Sequence, residues 1–147
     1  MSALLHIAVV ANPHFARLGG ESAVVRLVDA FYAAMDRRAD AQAIRALHAA
    51  DLTHTKAVLV TYLCEWLGGP KRYTAERGAP RLRRVHEPFA LDEAAADAWL
   101  ACMADALQAA CADAPLRDEL FTAFTKIARH LAGPSPHSRA TPTRSPP

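Results

Sequence analysis

His86 is the residue whose neighbours most directly suggest chemistry. It follows an arginine cluster and precedes a proline in the segment PRLRRVHEPF, and Trp99 comes later in the same region. Because Pro88 disfavours helical geometry at the residue before it, a short helix formed by PRLRRV is predicted to end near His86. The imidazole would then be held at a helix end facing the interior. Such a histidine is either a hydrogen-bonded structural side chain or a metal ligand, and spacing alone does not decide between them.

The other reactive residues exclude several kinds of site. The seven histidines are scattered, and the three cysteines (Cys64, Cys102 and Cys111) lie far apart in apolar stretches. They lack the close pairs of a zinc site and the density of a disulfide scaffold. The segments LGGE and LGGP match neither a dinucleotide-binding nor a phosphate-binding loop, and no nucleophile elbow is present. Haem iron, by contrast, needs only one protein ligand when an imidazole completes its proximal side.

Composition and charge describe the kind of protein that carries these residues. The chain has 147 residues, of which 52% are hydrophobic, and a net charge of +2. It is therefore long enough for one domain with a sizeable core. Its basic residues form no extended nucleic-acid footprint, and no apolar run approaches a membrane span. The unpaired cysteines favour a reducing compartment, so a cytoplasmic protein is predicted.

Three segments are predicted along the chain. Residues 1–11 form an N-terminal extension, residues 12–132 the globular domain, and residues 133–147 a proline-rich disordered tail. β-alternation is hard to find in the central segment, so an all-α fold is expected. A first helix is predicted after Gly20, with a stripe of apolar residues at helical spacing; the stripe consists of Val25, Val28, Tyr32 and Met35, widened by Val24, Leu27 and Phe31.

Three further helices have recognisable ends. After a short helical turn between Ile44 and His48, the second begins with Thr53 as its N-cap and stops at the GGP sequence before Lys71. Asp92 is the expected cap of the third helix, and Asp113 opens the fourth, with a proline in its first turn. The apolar stripes are Val58, Leu59, Tyr62, Leu63 and Trp66 on the second helix, Trp99, Met103 and Leu107 on the third, and Leu120, Phe124, Ile127 and Leu131 on the fourth.

The connection between the second and third helices, residues 68–88, does not fit a plain helical bundle. It is rich in Gly, Pro and Arg, with Tyr73, Leu82 and Val85 as apolar anchors and His86 near its end. Loops of this length inside compact domains are usually functional or disordered. The apolar anchors favour a functional connection over a disordered one.

Several motifs in this order resemble the group II truncated haemoglobins. They are GG at residues 19–20, FY at 31–32, WLGGP at 66–70, RGAPRLRRVHEPF at 77–89 and DAWLACM at 97–103, and the resemblance spans about residues 12–132. It implies a truncated globin fold, a two-on-two helical sandwich with a long loop before a short proximal-histidine helix. It also implies a haem b cofactor (iron protoporphyrin IX).

The resemblance assigns roles to individual residues. His86 matches the proximal ligand of a pentacoordinate iron, and its other ring nitrogen is expected to donate to a backbone carbonyl. On the distal side, Tyr32 and Trp99 match hydrogen-bond donors to a bound diatomic ligand. Leu59 matches a distal-wall position, and Thr55 stands where many globins carry a distal histidine. Phe89, Tyr73, Arg81 and Arg84 are the further expected cofactor contacts.

Two positions depart from the family pattern. His48 stands where the family commonly has tyrosine or another aromatic residue; it could donate to the ligand, accept from Tyr32, or lie in a partly exposed loop without ligand contact, while the neighbouring His54 is expected to point elsewhere. Relatives typically have arginine immediately before the proximal histidine, whereas this chain has Val85. The propionate contacts, expected from Arg81, Arg83 and Arg84, therefore stay open, with Arg84, Tyr73 or Lys71 as substitutes.

The resemblance implies that the protein binds O2, NO or CO, and leaves open whether it is also a haem-dependent redox enzyme, either a peroxidase or a nitric oxide dioxygenase. A reductase partner and a homodimer are compatible with it, whereas nucleic acid and membrane partners are not expected. A different class of function is a cofactor-free helical module that binds an acidic partner through its arginine-rich loop and its tail. Colour distinguishes these hypotheses, because the helical module would purify colourless.

Overall fold

Helices make up most of the chain that the computed structural model describes, which comprises residues 13–82, 86, 89 and 91–132. No strand occurs within those ranges, so the all-α prediction is confirmed. The predicted extension, the tail, and Arg83, Arg84 and Val85 lie outside the described residues. In chain order the helices are α1 (His14–Leu18), α2 (Gly20–Arg37), a 3-10 turn (Ala39–Ala41), α3 (Gln42–Arg45), α4 (Thr53–Trp66), α5 (Arg72–Arg77), α6 (Glu93–Ala110) and α7 (Ala114–Ala132).

The long helices pair as the two-on-two sandwich requires. Helix α2 packs on both α4 and α6, and α6 packs on α7, so that α2 with α4 forms one pair and α6 with α7 the other. The largest side chains at the centre of this sandwich are less than 2% exposed or close to it, and include Phe31, Met35, Leu63, Met103, Leu120 and Phe124. Burial of each such side chain contributes about 1.5–3 kcal/mol. None of the described helices has an apolar stretch long enough to cross a bilayer.

The apolar stripe of α2 differs from the predicted one at its N-terminal end. Val24, Leu27, Val28 and Tyr32 are buried as expected, but Val25 is 38% exposed. It borders a shallow groove between α2 and α4, where these two helices do not close upon each other. Periodicity identified the buried face correctly, but it could not show where along that face the neighbouring helix approaches.

Aspartate side chains accept hydrogen bonds at the starts of α4, α6 and α7, whereas only those of α6 and α7 were predicted. Asp92 Oδ1 accepts from Ala95 N–H at 2.9 Å, and Asp113 Oδ1 accepts from Leu116 N–H at 3.1 Å, which confirms both expected starts. The predicted capping role of Thr53 is wrong, because its own N–H and hydroxyl both donate to Asp51 Oδ1, at 2.9 and 2.7 Å. These hydrogen bonds lower the pKa of Asp51 below its usual value.

A helix that was not predicted packs against the GGP turn after α4. Helix α1 lies against this turn, with Phe15 N–H donating to Leu67 O at 2.8 Å. A Cβ on Gly69 would lie 2.7 Å from the Phe15 ring, so only glycine permits this close approach. Helix α1 then ends at Gly19, whose φ of 123° is one that residues with a side chain rarely adopt.

Helical backbone occurs in two parts of the connection between α4 and α6, and only the part near His86 was predicted. Helix α5 occupies Arg72–Arg77, and Leu82 and His86 are helical as well. The carboxylate of Glu65 on α4 accepts from the Thr74 N–H at 2.8 Å and also from the Thr74 hydroxyl. These two bonds lower the pKa of Glu65 and fasten α5 to α4, so the start of the connection has a defined position.

Candidate functional site

A cavity of about 500 Å³ is lined by residues of α2, α4, α6 and α7 and of the segments that connect them. This volume lies within the range of roughly 300–1,000 Å³ that is usual for sites that bind small molecules and cofactors. Most of its wall is apolar, with Val58, Leu59, Leu63, Leu82, Ile127 and Leu131 among the lining residues. Polar side chains interrupt this apolar wall, among them those of His86, Tyr32, Trp99 and His48.

His86 is half-buried in the cavity wall. Its Nδ1 lies 2.8 Å from Leu82 O, one helical turn earlier. Because a carbonyl oxygen only accepts hydrogen bonds, Nδ1 carries the hydrogen, and Nε2 of the neutral ring keeps its lone pair. No described residue pairs with Nε2. The Leu82 carbonyl therefore fixes the orientation and the tautomer of the ring, as backbone carbonyls commonly do for metal-binding histidines.

Tyr32 contributes a hydroxyl to the cavity from the buried face of α2. Its side chain is 4% exposed and packs edge-on against Phe31, with ring centroids 5.0 Å apart. Burial raises the pKa of Tyr32 to about 12, and the positive charge of Arg45 only partly opposes this. The phenol therefore stays protonated near neutral pH. No described residue hydrogen-bonds to its hydroxyl, which is free to donate within the cavity.

Trp99 reaches the cavity from α6 and is held by aromatic neighbours on two sides. Its ring lies 5.2 Å from that of Phe31 and 5.6 Å from that of Phe124, measured between centroids. Phe124 in turn stacks on Trp66 at 4.7 Å. These contacts restrict the orientation of the indole, whose N–H can only donate. Tyr32 and Trp99 thus both line this cavity, and each side chain has a group that can donate a hydrogen bond.

His48 also lines the cavity, next to Tyr32. The two rings meet edge to face, with centroids 5.7 Å apart and planes inclined at 76°. Nδ1 of His48 lies 2.8 Å from Ile44 O and must donate to it. Arg45 secures the same turn, since its guanidinium donates to Ala49 O at 3.0 Å and to Ala50 O at 3.1 Å. His48 is therefore a fixed part of the cavity wall.

Helix α4 contributes two expected residues and one unexpected residue to the cavity lining. Thr55 and Leu59 both line the cavity. His54 lines it as well, so the expectation that this residue points elsewhere is wrong. It precedes Val58 and Tyr62 by one and two helical turns, and both of these residues line the cavity too. This four-residue spacing is the signal that could have identified His54 from the sequence.

The charged groups beside the cavity differ from the expected set. Arg81 and Lys71 are exposed and are absent from the lining, and Arg84 lies outside the described residues. Tyr73 does line the cavity, with its ring 5.5 Å from that of Tyr62. Arg77, which was not predicted, lines it as well, and its guanidinium lies 3.5 Å from His54 Nε2. No sequence pattern singled out Arg77 from the neighbouring arginines.

The cavity has an exposed apolar rim. Phe89 lines it while remaining 44% exposed, and Leu47 lines it at the same exposure. The site therefore combines apolar walls, the imidazole of His86, side chains that can donate at Tyr32 and Trp99, and a cation at Arg77. A haem has the complementary parts, namely a flat apolar ring, an iron that accepts a nitrogen ligand, and anionic propionates. The residues present fit this cofactor.

Known proteins share both the sequence and the fold. The bacterial-like globin family matches residues 14–132. Group 2 truncated hemoglobin YjbI of Bacillus subtilis (strain 168) is 38% identical over 112 residues, which is 76% of this chain and 83% of that protein. The group II 2-on-2 hemoglobin of Agrobacterium tumefaciens is 33% identical, with a TM-score of 0.78 over 82% of this chain and 93% of that one. The truncated oxygen-avid haemoglobin of B. subtilis is 34% identical, with a TM-score of 0.74 over 82% of this chain and 98% of that one. The chain accordingly belongs to the bacterial-like globin family and, within it, to the group II truncated haemoglobins.

Proposed function

We propose that this protein binds haem b through Nε2 of His86 and uses the opposite side of the cavity to bind O2, NO or CO. The family implies a haem cofactor and a function related to oxygen. The observation that carries the residue-level proposal is the 2.8 Å hydrogen bond from His86 Nδ1 to Leu82 O. It leaves Nε2 as a lone-pair donor inside an apolar cavity. When bound, the haem supplies an iron that binds diatomic gases reversibly.

On the proximal side, a hydrogen bond to a backbone carbonyl sets the orientation of the His86 ring and the basicity of Nε2. The Leu82 carbonyl holds the imidazole plane and, by accepting from Nδ1, increases the electron density on Nε2. Apolar residues of the cavity lining, Ile127 and Leu131 among them, limit the access of water to the cavity. Exclusion of water also keeps solvent from occupying the Nε2 lone pair with a hydrogen bond.

On the distal side, Tyr32 and Trp99 stabilise a ligand that gains negative charge when it binds. Oxygen does so more than carbon monoxide, and both side chains are fixed donors in a cavity of low polarity. Slow release of oxygen is the expected consequence. The oxygen-avid haemoglobin of B. subtilis, which shares this fold, supports this proposal. Slow release suits ligand sensing, supply to a partner or redox work better than bulk delivery.

At the edge of the cavity, Arg77 and His54 are the groups that we propose hold the propionates. Arg77 donates through its guanidinium, and His54 lies 3.5 Å from it, so that the two could share one carboxylate. Tyr73 adds a hydroxyl in the same lining. These residues take the place of the arginine that relatives carry where this chain has Val85.

Several wider expectations remain proposals. The three cysteines are buried and unpaired, which favours a reducing compartment such as the cytoplasm. A reductase partner and a homodimer remain predictions from the family resemblance.

The absorption spectrum of the purified protein, recorded with and without added haem, tests the proposed function. We expect an intense Soret band that saturates at one haem per chain. In the ferrous state without added ligand, the spectrum should be that of a pentacoordinate iron. A protein that stays colourless after reconstitution would instead support the cofactor-free helical module.

Haem loss from an Arg77 variant tests the propionate assignment. We expect Arg77→Leu to release haem to an excess of a haem-scavenging globin about two- to fivefold faster than the unmodified protein, the effect of one exposed charged contact. Arg81→Leu is the matched variant, because Arg81 is a nearby exposed arginine outside the cavity lining. If Arg81→Leu loses haem faster than Arg77→Leu, the assignment to Arg77 is wrong.

A further inference from the structure

We propose that Lys71 and Arg81, which together form a basic rim beside the cavity, dock a small acidic protein that carries a one-electron redox group. The two residues flank Arg77, and all three side chains are exposed. The inference rests on the proposed function, because a haem held by His86 would receive the electron that this partner delivers. It goes beyond that function by assigning the docking surface and the charge of the partner.

Positive charge is concentrated in one segment of the chain. Residues 68–88 contain six Lys and Arg but only two Glu, so this segment has a net charge of +4. Because the whole chain has a net charge of +2, the rest of the chain is net negative, at −2. The two carboxylates of a bound haem would reduce the charge of the segment without reversing it. An acidic protein is therefore attracted to this segment rather than to the remainder of the surface.

The cations of this segment are not neutralised by neighbouring carboxylates. Seven of the thirteen Lys and Arg residues in the described part of the chain form ion pairs within 4 Å. Lys71, Arg77 and Arg81 form none with the described carboxylates, and so make up half of the six that do not pair. Lys71 interacts electrostatically with Glu65, but that carboxylate already accepts from Thr74. The charge of the basic rim is thus left to act on a molecule outside the chain.

The basic rim lies beside the opening of the cavity. Lys71 is two residues before Tyr73, and Arg81 is next to Leu82; both of these neighbours line the cavity. The six residues of α5 advance the chain by only about 9 Å, so the two ends of the helix lie close together. Phe89 lines the same cavity and is 44% exposed. A protein seated on the rim would therefore lie close to the edge of a haem in the cavity.

The composition of this surface indicates a transient partner. The large apolar side chains that are exposed in the described ranges are few, namely Val25, Leu47 and Phe89. Obligate interfaces are more hydrophobic, whereas brief encounters between redox proteins bury little area and depend on charge complementarity for rapid association. Three cations are also too few for the extended basic footprint that nucleic acids require. A small acidic electron carrier fits these features best.

One electron is transferred in this encounter. The reduced carrier loses the electron and ferric haem iron gains it, so that an oxidised carrier and ferrous iron result, with no bond formed or broken. Ferrous iron is the state that binds O2, so a site that becomes oxidised during redox work needs such a reductant. The basic rim supplies no electron itself, but its charge attracts the carrier and speeds formation of the encounter complex.

The equilibrium dissociation constant for an acidic probe protein tests the basic rim. The probe is an oxidised plant-type ferredoxin, titrated by calorimetry into the haem-loaded ferric protein, so that the measured quantity is binding and not turnover. We expect binding at low ionic strength that weakens at least about tenfold at roughly 1 M salt, where the Debye length is about 3 Å. A basic c-type cytochrome should not bind under the same conditions.

A double variant removes the charge of the basic rim. We expect Lys71→Gln combined with Arg81→Gln to weaken ferredoxin binding about three- to tenfold at low salt, the effect of two exposed charge pairs. Arg26→Gln combined with Lys126→Gln is the matched variant of equal net charge, because both residues are exposed, lack a described carboxylate partner and lie on α2 and α7. It should change binding by less than about twofold. Equal weakening in both double variants would overturn the inference, since net charge alone would then explain it.

Glu76 offers a variant with the opposite effect. It is an exposed carboxylate on α5, between the two residues of the basic rim. Glu76→Lys removes a repulsive charge and adds an attractive one, so it should tighten ferredoxin binding about two- to fivefold. An unchanged or weakened affinity in this variant would count against the rim as the docking surface.

Haem content separates this inference from the proposed function. All of these variants should keep a normal Soret band, because none of the substituted residues lines the cavity. If the unmodified protein has a Soret band but binds the ferredoxin without salt dependence or not at all, the inference fails and the proposed function stands. A missing Soret band in the unmodified protein would remove the proposed function itself. Tighter binding to vesicles that contain phosphatidylserine, or to duplex DNA, with loss in the rim variant, would assign the rim to another partner and overturn the inference.

Discussion

Replacement of His86 by alanine is expected to abolish stable haem incorporation. The substitution removes the imidazole whose bond from Nδ1 to Leu82 O leaves Nε2 with a lone pair. The remaining walls bury the porphyrin but do not hold its iron. Titration of the purified variant with haem should give a weak, broad absorption band in place of a sharp Soret band. Circular dichroism should show whether the helices have formed.

His86→Gly provides the control for this experiment. The smaller residue leaves space for a free imidazole, which should restore the Soret band of the unmodified protein when it is added at millimolar concentration. Restoration by imidazole would separate loss of the ligand from loss of the fold. If His86→Ala retains one tightly bound haem with an unchanged spectrum, then another residue holds the iron and the assignment of His86 is wrong.

The Trp99→Phe variant is expected to release oxygen about tenfold faster or more. Phenylalanine keeps an aromatic ring between Phe31 and Phe124 but has no N–H to donate. Loss of one strong hydrogen bond to a ligand with negative charge corresponds to roughly 1.4 kcal/mol or more, and each 1.4 kcal/mol is a factor of ten. Stopped-flow mixing of the oxygenated ferrous protein with dithionite or carbon monoxide measures the dissociation rate directly.

Trp66→Phe is the matched control for this effect. Trp66 stacks on Phe124, the same ring that contacts Trp99. Trp66 is not part of the cavity lining. The Trp66→Phe variant should release oxygen at a rate within about twofold of that of the unmodified protein. Equal acceleration in both variants would mean that packing of the cluster, rather than the indole N–H of Trp99, controls release.

The sequence predicted the fold where local chemistry determines it. Asp92 and Asp113 were identified because a helix start needs an acceptor for its free N–H groups, and both residues provide one. The burial of Phe31 and Tyr32 followed from the apolar stripe. Helix α1 could not be predicted in the same way, since its place depends on contact between Phe15 and Gly69, which are distant in the sequence.

The site was predictable to the extent that a family motif carried it. His86, Tyr32 and Trp99 were singled out by order and residue type, and all three line one cavity. Arg77 was missed because it meets His54 only after α4 and α5 have packed together, whereas the spacing of His54 along α4 was a sequence signal for that residue. The direction of His48 was equally beyond the sequence, since it depends on which ring nitrogen meets the Ile44 carbonyl.

The three buried cysteines have a consequence for a protein that handles oxygen. Cys64, Cys102 and Cys111 all lie within the interior, and burial raises the pKa of Cys102 to about 11. A thiol that stays protonated reacts slowly with peroxides, because the thiolate is the species that is oxidised. Met35 and Met103 are equally enclosed. The described part of the chain therefore exposes little reactive sulfur to peroxides, and these side chains should be oxidised slowly.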